Sequence, residues 1–363
     1  MERKNAPDFI LLGICGLLIF AGILILASVS ASFSLQKTGT TFYFLNHQLL
    51  FGLLPGLFFG LVAFFTPLAS FKKWSLAILA ANIILLGLVF VPGIGADVGG
   101  THRWIFIGPL SFQPSELLKI TFILYMASWL AARTSSLSQK NTFLPFIAVM
   151  GLIDLLLALE PDISTLGVIG ATAVVMYFLA GTPLWHSFLM IGAGATVLAF
   201  LVVIAPYRFS RLAVLLNPSL DPLDQGYQIK QALIGIGSGG IVGTGLGLSF
   251  QKFGVLPVPI SDSIFAVFAE ETGFIGAVSL LLLLFAFAWR SLVISKRAQD
   301  RFASLTAAGI AFWIFFQSIM NIGSMIGLVP LAGIPLPFIS SGGSALISEL
   351  IAVGILLQIS RQA

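Results

Sequence analysis

The stretch ISDSIFAVFAEETGFIGAVSLLLLLFAFAWR, residues 260–290, places three carboxylates at the start of a long apolar run. About 20 apolar residues span the hydrocarbon core of a bilayer as one helix, so the run that ends near Phe287 predicts a transmembrane helix. Ionised side chains near a bilayer are costly and therefore mark functional candidates. Asp262 lies where a polar loop becomes this helix, so it either caps the helix or takes part in chemistry. Glu270 lies about two turns deeper, where capping does not explain it.

The rest of the chain has the same apolar character. Of its 363 residues, 58% are hydrophobic and 9% are charged, which excludes a soluble globular protein of this length. The one cysteine, Cys15, excludes an intrachain disulfide, and the three histidines have no metal-ligand spacing. The net charge of +4 gives no reason to expect a nucleic-acid partner. The sequence predicts an all-α polytopic membrane protein, because backbone polar groups in lipid must be paired within each segment.

Ten apolar segments are predicted to cross the membrane, and the whole chain, 1–363, is predicted to form one integral membrane domain. The first segment follows two basic residues, as in a signal peptide, but it is long for that role and is predicted to be retained. A large loop, about 206–262, separates the seventh segment from the eighth. The predicted segments are about 8–29, 48–66, 74–94, 115–132, 143–159, 165–181, 186–205, 263–289, 302–328 and 342–360.

The distribution of lysine and arginine predicts the orientation. If the N-terminus is cytoplasmic, the short loops on the cytoplasmic side carry most of these residues, among them Lys72, Lys73 and Arg297. Both termini are therefore predicted to be cytoplasmic in a multi-pass protein of the bacterial cytoplasmic membrane. Asp262 and the large loop then lie on the outer face, where ATP and nucleotide-sugars are not available.

Other polar residues gather on the same predicted outer side. Glu116 and Lys119 share one face of a helix that starts near Pro114. They form a buried ion pair that fixes packing, or part of a polar cavity that holds a charged substrate group, and these two interpretations are compatible. Glu160 and Asp162 mark another outer boundary, at a turn.

Two glycine-rich stretches also lie on this side. The run from Gly235 to Gly247 lacks the Gly-Lys-Ser/Thr of a phosphate loop. It is either a flexible or re-entrant segment, or a set of backbone N–H groups for an anionic ligand. Residues 340–344 open the last segment, where N-terminal amides suit phosphate and small residues suit close helix packing.

Several motifs together resemble the SEDS family (shape, elongation, division and sporulation), which includes FtsW, RodA and SpoVE. Each motif is weak alone, but the set is specific, follows the family's order and covers almost the whole chain. The motifs are Arg103-Trp104-Ile105, Phe112-Gln113-Pro114-Ser115-Glu116, Pro161-Asp162, Gly226-Tyr227-Gln228, Asp262 with Ile264-Phe265-Ala266-Val267 and Glu270-Glu271, Gln317, Asn321-Ile322-Gly323, and Gly333-Ile334-Pro335-Leu336-Pro337-Phe338-Ile339-Ser340 with Gly342-Gly343-Ser344.

The resemblance implies a peptidoglycan glycosyltransferase for cell division or elongation. Such enzymes polymerise lipid II, a disaccharide-pentapeptide on undecaprenyl pyrophosphate, at the outer face of the cytoplasmic membrane. The resemblance also implies a class B penicillin-binding protein as partner and an essential aspartate at the position of Asp262. The chain departs from the family at the flanks: residues 260–263 replace His-Thr-Asp-Phe, and residues 160–162 replace Gln-Pro-Asp. These departures bear on substrate fit more than on chemistry.

The chemistry assigns roles to the candidate residues. A sugar hydroxyl must attack an anomeric carbon while a lipid pyrophosphate leaves. Asp262 is predicted to be the general base, and Arg208, Arg211 and Lys119 are candidates to bind phosphate. The sequence requires no cofactor, although a divalent cation, Mg²⁺ or Mn²⁺, is compatible with a pyrophosphate leaving group. The remaining candidates for substrate binding or for the cavity are Glu116, Arg103, Asp162, Gln228, Glu270, Ser341 and Ser344.

Two other functions are compatible with these residues. A lipid II flippase would use Glu116, Lys119, Glu270 and Glu271 as a translocation path, but it would need polar groups along the whole membrane depth, and here they crowd one side. A non-catalytic scaffold would recruit and activate the penicillin-binding protein. The large outer loop and the acid at its edge favour the enzyme.

Overall fold

The structure is a computed structural model that describes residues 6–98, 101–108, 110–133, 140–204, 206–217, 220–221 and 223–362. It is mostly helical. Six helices in the described part are long and apolar enough to cross a membrane, and three shorter apolar helices accompany them. The six are Phe9–Thr38, Tyr43–Phe65, Leu68–Leu88, Ile264–Arg297, Arg301–Met325 and Gly343–Ser360.

The helices follow the order of the predicted segments, and each of the ten segments overlaps one helix or one continuous helical stretch. The number that cross the membrane stays a prediction. The second stretch includes one π-helical turn, Leu49–Leu53. The α-helices are α1 (Phe9–Thr38), α2 (Tyr43–Gln48), α3 (Leu54–Phe65), α4 (Leu68–Leu88), α5 (Pro114–Ala131), α6 (Lys140–Leu159), α7 (Ile163–Leu179), α8 (Leu184–Ile204), α9 (Pro206–Leu216), α10 (Gln225–Ser238), α11 (Ile264–Arg297), α12 (Arg301–Met325) and α13 (Gly343–Ser360).

Local sequence signals explain where several helices begin. The first turn of α5 contains Pro114, which has no N–H to leave unpaired at a helix start. At α7 the Asp162 side chain accepts a hydrogen bond from the Thr165 backbone N–H at 3.2 Å, as an N-cap does. Asp8 caps α1 in the same way through the Leu11 N–H, at 2.9 Å.

The prediction of an all-α chain is wrong between α4 and α5. A three-stranded antiparallel sheet lies there, with β1 (Gly95–Val98), β2 (Thr101–Ile107) and β3 (Leu110–Phe112) in the order β1-β2-β3. The sequence of β2, THRWIFI, is rich in aromatic and β-branched residues, which favour strands. Gly108, with φ +61°, provides the tight turn into β3. This sheet places Arg103 beside the turn between α6 and α7.

The large loop between α8 and α11 contains two helices of its own, α9 and α10, so it is not a bare connector. The segment that follows α10 docks into a break in α11 at Gly273, which has φ +66°. The backbone N–H groups of Thr244 and Gly245 donate to the carbonyls of Glu270 and Glu271, both at 3.0 Å. These amides of the glycine run therefore bind helix carbonyls instead of an anion.

The most buried helices, α5, α12 and α13, lie at the centre of the molecule. Helix α3 packs closely against α13 because small residues face each other. A side chain at Gly354 would place its Cβ 2.1 Å from the carbonyl oxygen of Gly60. The buried apolar side chains from α1 to α13 form one contiguous core, and the polar site lies at the loop-rich end beside it.

Candidate functional site

Asp262 ends the large loop, two residues before α11 begins. It does not cap that helix: the N-cap is Ser263, which makes no capping side-chain bond, and the Asp262 carboxylate instead accepts a hydrogen bond from the Ser261 hydroxyl at 2.8 Å. The Asn321 side-chain amide donates to the main-chain carbonyls of Asp262, at 3.0 Å, and of Ile334, at 2.8 Å. The backbone around Asp262 is therefore fixed while one carboxylate oxygen stays available.

A polar cavity of about 150 Å³ lies at Asp262. Arg211 reaches it from α9, where the guanidinium donates to the Leu331 carbonyl at 3.4 Å and its buried Nε has no partner among the described residues. Gln228 reaches it from α10 and donates to the Ser263 hydroxyl at 2.9 Å. The lining residues are Arg211, Asp224, Gln225, Gln228, Asp262, Met325, Leu331 and Gly333.

The charges around Asp262 tune its carboxyl group. Burial raises the pKa of Asp262, and the negative charge of Asp162 acts in the same direction. The hydrogen bond from Ser261 and the positive charges of Arg211 and Arg103 oppose this rise. The pKa therefore lies above the usual range for aspartate, which suits a general base that works near neutral pH.

Arg103 and Asp162 belong to the same electrostatic site. The guanidinium of Arg103 donates to the main-chain carbonyls of Glu160, at 2.8 Å, and Pro161, at 2.6 Å. The Asp162 carboxylate, besides capping α7, accepts a hydrogen bond from the Ser115 hydroxyl at 3.2 Å. The sheet, the start of α5 and the turn before α7 thus meet around these two charges.

Glu116 and Lys119 form the ion pair that their spacing predicted. The Lys119 ammonium contacts a Glu116 carboxylate oxygen at 2.8 Å and the Gln317 side-chain oxygen at 2.8 Å, and both charged side chains are buried. Gln317 also donates to the Pro335 carbonyl at 2.9 Å, which ties the pair to the segment between α12 and α13. The pair fixes packing, and a role in substrate binding stays a prediction.

Glu270 and Glu271 hold the large loop against α11. The Glu270 carboxylate accepts hydrogen bonds from the Ser249 hydroxyl and from the backbone N–H groups of Phe250, at 3.1 Å, and Gln251, at 3.3 Å. Glu271 forms a buried ion pair with Lys252 at 2.8 Å. The hydroxyl of Ser28, on α1, also donates to Glu271, at 2.6 Å. Capping does not explain Glu270, and in the structure both acids bind groups of the loop or of α1. A role of Glu270 in substrate binding stays a prediction.

Two of the remaining candidates, Ser341 and Ser344, lie beside these groups. The Ser341 N–H donates to the Ile260 carbonyl at 2.9 Å, which places Ser341 beside the loop that carries Asp262. The Ser344 hydroxyl accepts from the Gln113 N–H at 3.0 Å and so links α13 to the start of α5. Arg208 belongs to α9, but its side chain lies outside the described part of the structure.

Sequence reasoning missed part of the cavity. Asp224 and Gln225 line it immediately before the Gly226-Tyr227-Gln228 motif, so the motif's neighbours were a usable signal. Asn321 holds the backbone of Asp262, and an amide inside an apolar segment is a signal in itself, because such groups need partners.

The chain is similar to known proteins of one family. Residues 9–363 match the cell cycle protein family FtsW/RodA/SpoVE. The chain is 39% identical to stage V sporulation protein E of Bacillus subtilis, over 99% of this chain and 98% of that one. It is 41% identical to a probable peptidoglycan glycosyltransferase FtsW of Saccharophagus degradans, over 94% and 89% of the two chains.

A solved structure has the same fold over nearly the whole length. It is a chain from a peptidoglycan synthase complex described for its coordination of polymerization and crosslinking, with a TM-score of 0.81, 27% identity and 98% of each chain covered. The sequence match spans all the elements that build the cavity at Asp262. This integral membrane protein therefore belongs to the FtsW/RodA/SpoVE family of cell cycle proteins.

Proposed function

We propose that the chain is a peptidoglycan glycosyltransferase that polymerises lipid II at the outer face of the cytoplasmic membrane. The observation that carries this proposal is the cavity in which the Asp262 carboxylate and the Arg211 guanidinium both retain hydrogen-bonding capacity. A base and a cation side by side are what glycosyl transfer to a sugar hydroxyl from a lipid pyrophosphate requires. The curated relatives named probable peptidoglycan glycosyltransferase support the same reaction.

In the proposed reaction Asp262 removes the proton from the acceptor sugar hydroxyl. The hydroxyl oxygen then attacks the anomeric carbon of the donor, and the bond from that carbon to the lipid pyrophosphate breaks. The pyrophosphate leaves as an anion with the bonding electron pair, so the leaving group needs no second acid. A single displacement inverts the anomeric centre and converts an α-linked donor into a β-linked product.

The leaving pyrophosphate needs positive charge. Arg211 lines the cavity with a buried Nε that has no partner among the described residues, so it can bind a phosphate oxygen without giving up an internal bond. Arg103 adds a second positive charge that acts on Asp262. Lys119 is already bound to Glu116 and Gln317, which makes it the weaker candidate for phosphate among these three cations.

A divalent cation, Mg²⁺ or Mn²⁺, would meet oxygen donors among the residues that line the cavity. Asp224 would supply a carboxylate oxygen and Gln228 an amide oxygen, the ligand types that Mg²⁺ and Mn²⁺ prefer. The described residues contain no group of three His, Cys, Asp or Glu side chains arranged for a metal. When bound, such an ion would share the pyrophosphate's negative charge.

The proposal includes a membrane topology and a partner. Ten spans with both termini in the cytoplasm place the basic turn between α11 and α12, with Lys296, Arg297 and Arg301, on the cytoplasmic side. Asp262 then lies on the outer side. A class B penicillin-binding protein is the proposed partner, because the chain with the same fold comes from a complex that couples polymerization to crosslinking.

Polymerisation of purified lipid II in liposomes tests this function. Wild type is compared with Asp262→Asn and with the control Asp300→Asn, which removes an exposed acid at the start of α12. Each protein is assayed with and without a class B penicillin-binding protein. We expect glycan strands from wild type and the control, and about 10²–10⁴-fold less polymerisation from folded Asp262→Asn. Full activity of Asp262→Asn would refute the role of Asp262. Transfer of lipid II across the bilayer with no polymer from any sample would instead indicate a flippase.

A further inference from the structure

Glu160 is a buried acid beside the proposed active site that the reaction above does not use. It lies in the turn between α6 and α7, its side chain is fully buried, and neither carboxylate oxygen has a hydrogen-bond partner among the described residues. A buried carboxylate without a partner is unfavourable, so such a group keeps its proton. Burial, with a contribution from the charge of Asp162, raises the pKa of Glu160 to about 8 against the opposing charge of Arg103.

The positive charge that acts on this carboxyl comes from Arg103, which binds other groups. Arg103, on β2, donates to the main-chain carbonyls of Glu160 and Pro161 and not to the Glu160 side chain. The charged groups that act on Glu160 are therefore Arg103 from the sheet and Asp162 from the start of α7. The same Arg103 and Asp162 act on Asp262, so the two acids share their charged neighbours.

Building on the proposed function, we propose that Glu160 is a positioning residue for the reaction at Asp262. When Glu160 is protonated, Arg103 stays bound to the two main-chain carbonyls. When Glu160 is ionised, its carboxylate attracts Arg103 away from them. An ionised Glu160 would lie buried close to Asp162, and the two negative charges repel. Rotation of the Arg103 guanidinium from the carbonyls to the new carboxylate relieves this repulsion. Arg103 is then lost as the cation that holds the turn and acts on Asp262.

This coupling predicts the shape of the pH profile. Asp262 must lose its proton to act as a base, so it controls the acid limb, and activity falls as the pH decreases. Glu160 must keep its proton to leave Arg103 in place, so it controls the alkaline limb. Above the pKa of Glu160 the protonated fraction of one acid falls about tenfold per pH unit, and activity should follow it.

The test is the pH profile of lipid II polymerisation by wild type, Glu160→Gln, Glu160→Asp and Asp154→Asn. Glutamine copies the shape of the neutral acid but cannot ionise, so Glu160→Gln should lose the alkaline limb and keep the acid limb. Glu160→Asp retains an acid and should retain an alkaline limb. Asp154, an acid within α6, has a buried oxygen with no partner among the described residues, and its replacement should change neither limb.

Thermal unfolding across the pH range provides a readout that does not depend on activity. The ordinary pKa of 4.5 rises to about 8 in the folded protein, so the folded state holds the Glu160 proton more tightly than the unfolded chain. The stabilisation from the bound proton is fully present below the ordinary pKa and is lost as the pH rises to about 8. The Tm of wild type should therefore fall relative to that of Glu160→Gln in this window and run parallel above it.

The outcomes separate the two proposals. An alkaline limb that persists in folded Glu160→Gln would overturn the role of Glu160 and leave the glycosyltransferase intact. Parallel Tm curves at all pH values would show that Glu160 holds no unusual proton and would also overturn it. No polymer from wild type at any pH would refute the glycosyltransferase itself, and with it the positioning role, whereas the Tm curves would still report the Glu160 proton.

Discussion

Two regions of this molecule contain buried or half-buried charges, and they differ in how completely those charges are paired. In the paired region, defined by Glu116 with Lys119 and by Glu271 with Lys252, each acid contacts an ammonium at 2.8 Å. In the cavity region, defined by Asp262 and Arg211 at the cavity and by Arg103, Asp162 and Glu160 beside it, hydrogen-bonding capacity is left over. Among the described residues, neither the Glu160 carboxylate nor the Nε of Arg211 has a hydrogen-bond partner.

The difference separates structural charges, which hold the fold together, from chemical charges, which take part in binding or reaction. A buried ion pair that is fully satisfied holds its elements in register, and removal of one partner is costly because the other is left uncompensated. A buried charge without a partner destabilises the fold, and such groups occur where a ligand or a proton pairs with them. The paired region should therefore respond to mutation with a loss of stability, and the cavity region with a loss of activity.

The largest expected effect is on activity in the cavity region. Asp262→Asn should reduce lipid II polymerisation by about 10²–10⁴-fold, the usual contribution of a general base. Its Tm should equal or exceed that of wild type, because burial raises the pKa of Asp262 and the carboxylate is therefore unfavourable in the folded state at neutral pH. Activity and Tm are measured on the same preparation. A large fall in Tm would place Asp262 among the structural charges.

The next effect is on stability in the paired region. Lys119→Met should destabilise the protein by about 3–5 kcal/mol, because it leaves the buried Glu116 carboxylate without its cation. The double variant with Glu116→Gln should recover much of this loss, since no charge is then left unpaired. The measurement is thermal unfolding in detergent. A double variant that is as unstable as Lys119→Met would mean that the pair contributes by packing and not by charge.

A smaller effect is expected where an acid holds the loop. Glu270→Gln should destabilise the protein by about 1.5–3 kcal/mol, because a charged acceptor of hydrogen bonds from Ser249, Phe250 and Gln251 becomes neutral. Amide hydrogen exchange should show faster exchange at residues 249–252 and little change in α13. Unchanged exchange in the loop would indicate that Glu270 is available for substrate, as the sequence suggested.

Much of the helical architecture could be predicted from the sequence because the bilayer imposes a simple rule. Apolar runs of membrane length predicted the ten segments, and each overlaps a helix of the structure. The ion pair of Glu116 and Lys119 was also predictable, since residues three apart share a helix face. The sheet of β1–β3 was not predicted, because its strands are short and they pair across turns. The periodicity within one segment gives no information about such pairing.

The site was predictable in its residues and less so in their partners. Asp262 was singled out because an ionised acid at the edge of an apolar run is costly and therefore marks a functional candidate. In the structure Glu270 binds backbone amides of the loop, whereas Arg211 lines the cavity. Both placements depend on how the large loop folds back on α11. Such contacts join residues far apart in the chain, and local patterns carry no information on them. Glycine spacing likewise gave no way to choose between a flexible or re-entrant segment and an anion site for 235–247, whereas in the structure this run packs against α11.

The smallest predicted effect concerns that packing, and two glycines provide a matched pair. Gly243 has φ +85°, and a Cβ there would lie 2.1 Å from the carbonyl oxygen of Glu271, so Gly243→Ala should cost about 1–3 kcal/mol through strain and displacement of the loop. Gly237, in α10, has nothing within 4 Å of such a Cβ, and Gly237→Ala should stabilise the helix by about 0.5–1 kcal/mol.

Thermal unfolding of the two variants gives opposite signs if the glycine run is a packing device against α11. If Gly243→Ala instead keeps the Tm of wild type but lowers the affinity for lipid II, the run binds an anion and the loop moves to do so. Glu271 and its neighbours at the break in α11 would then take part in substrate binding, and the paired region would not be purely structural.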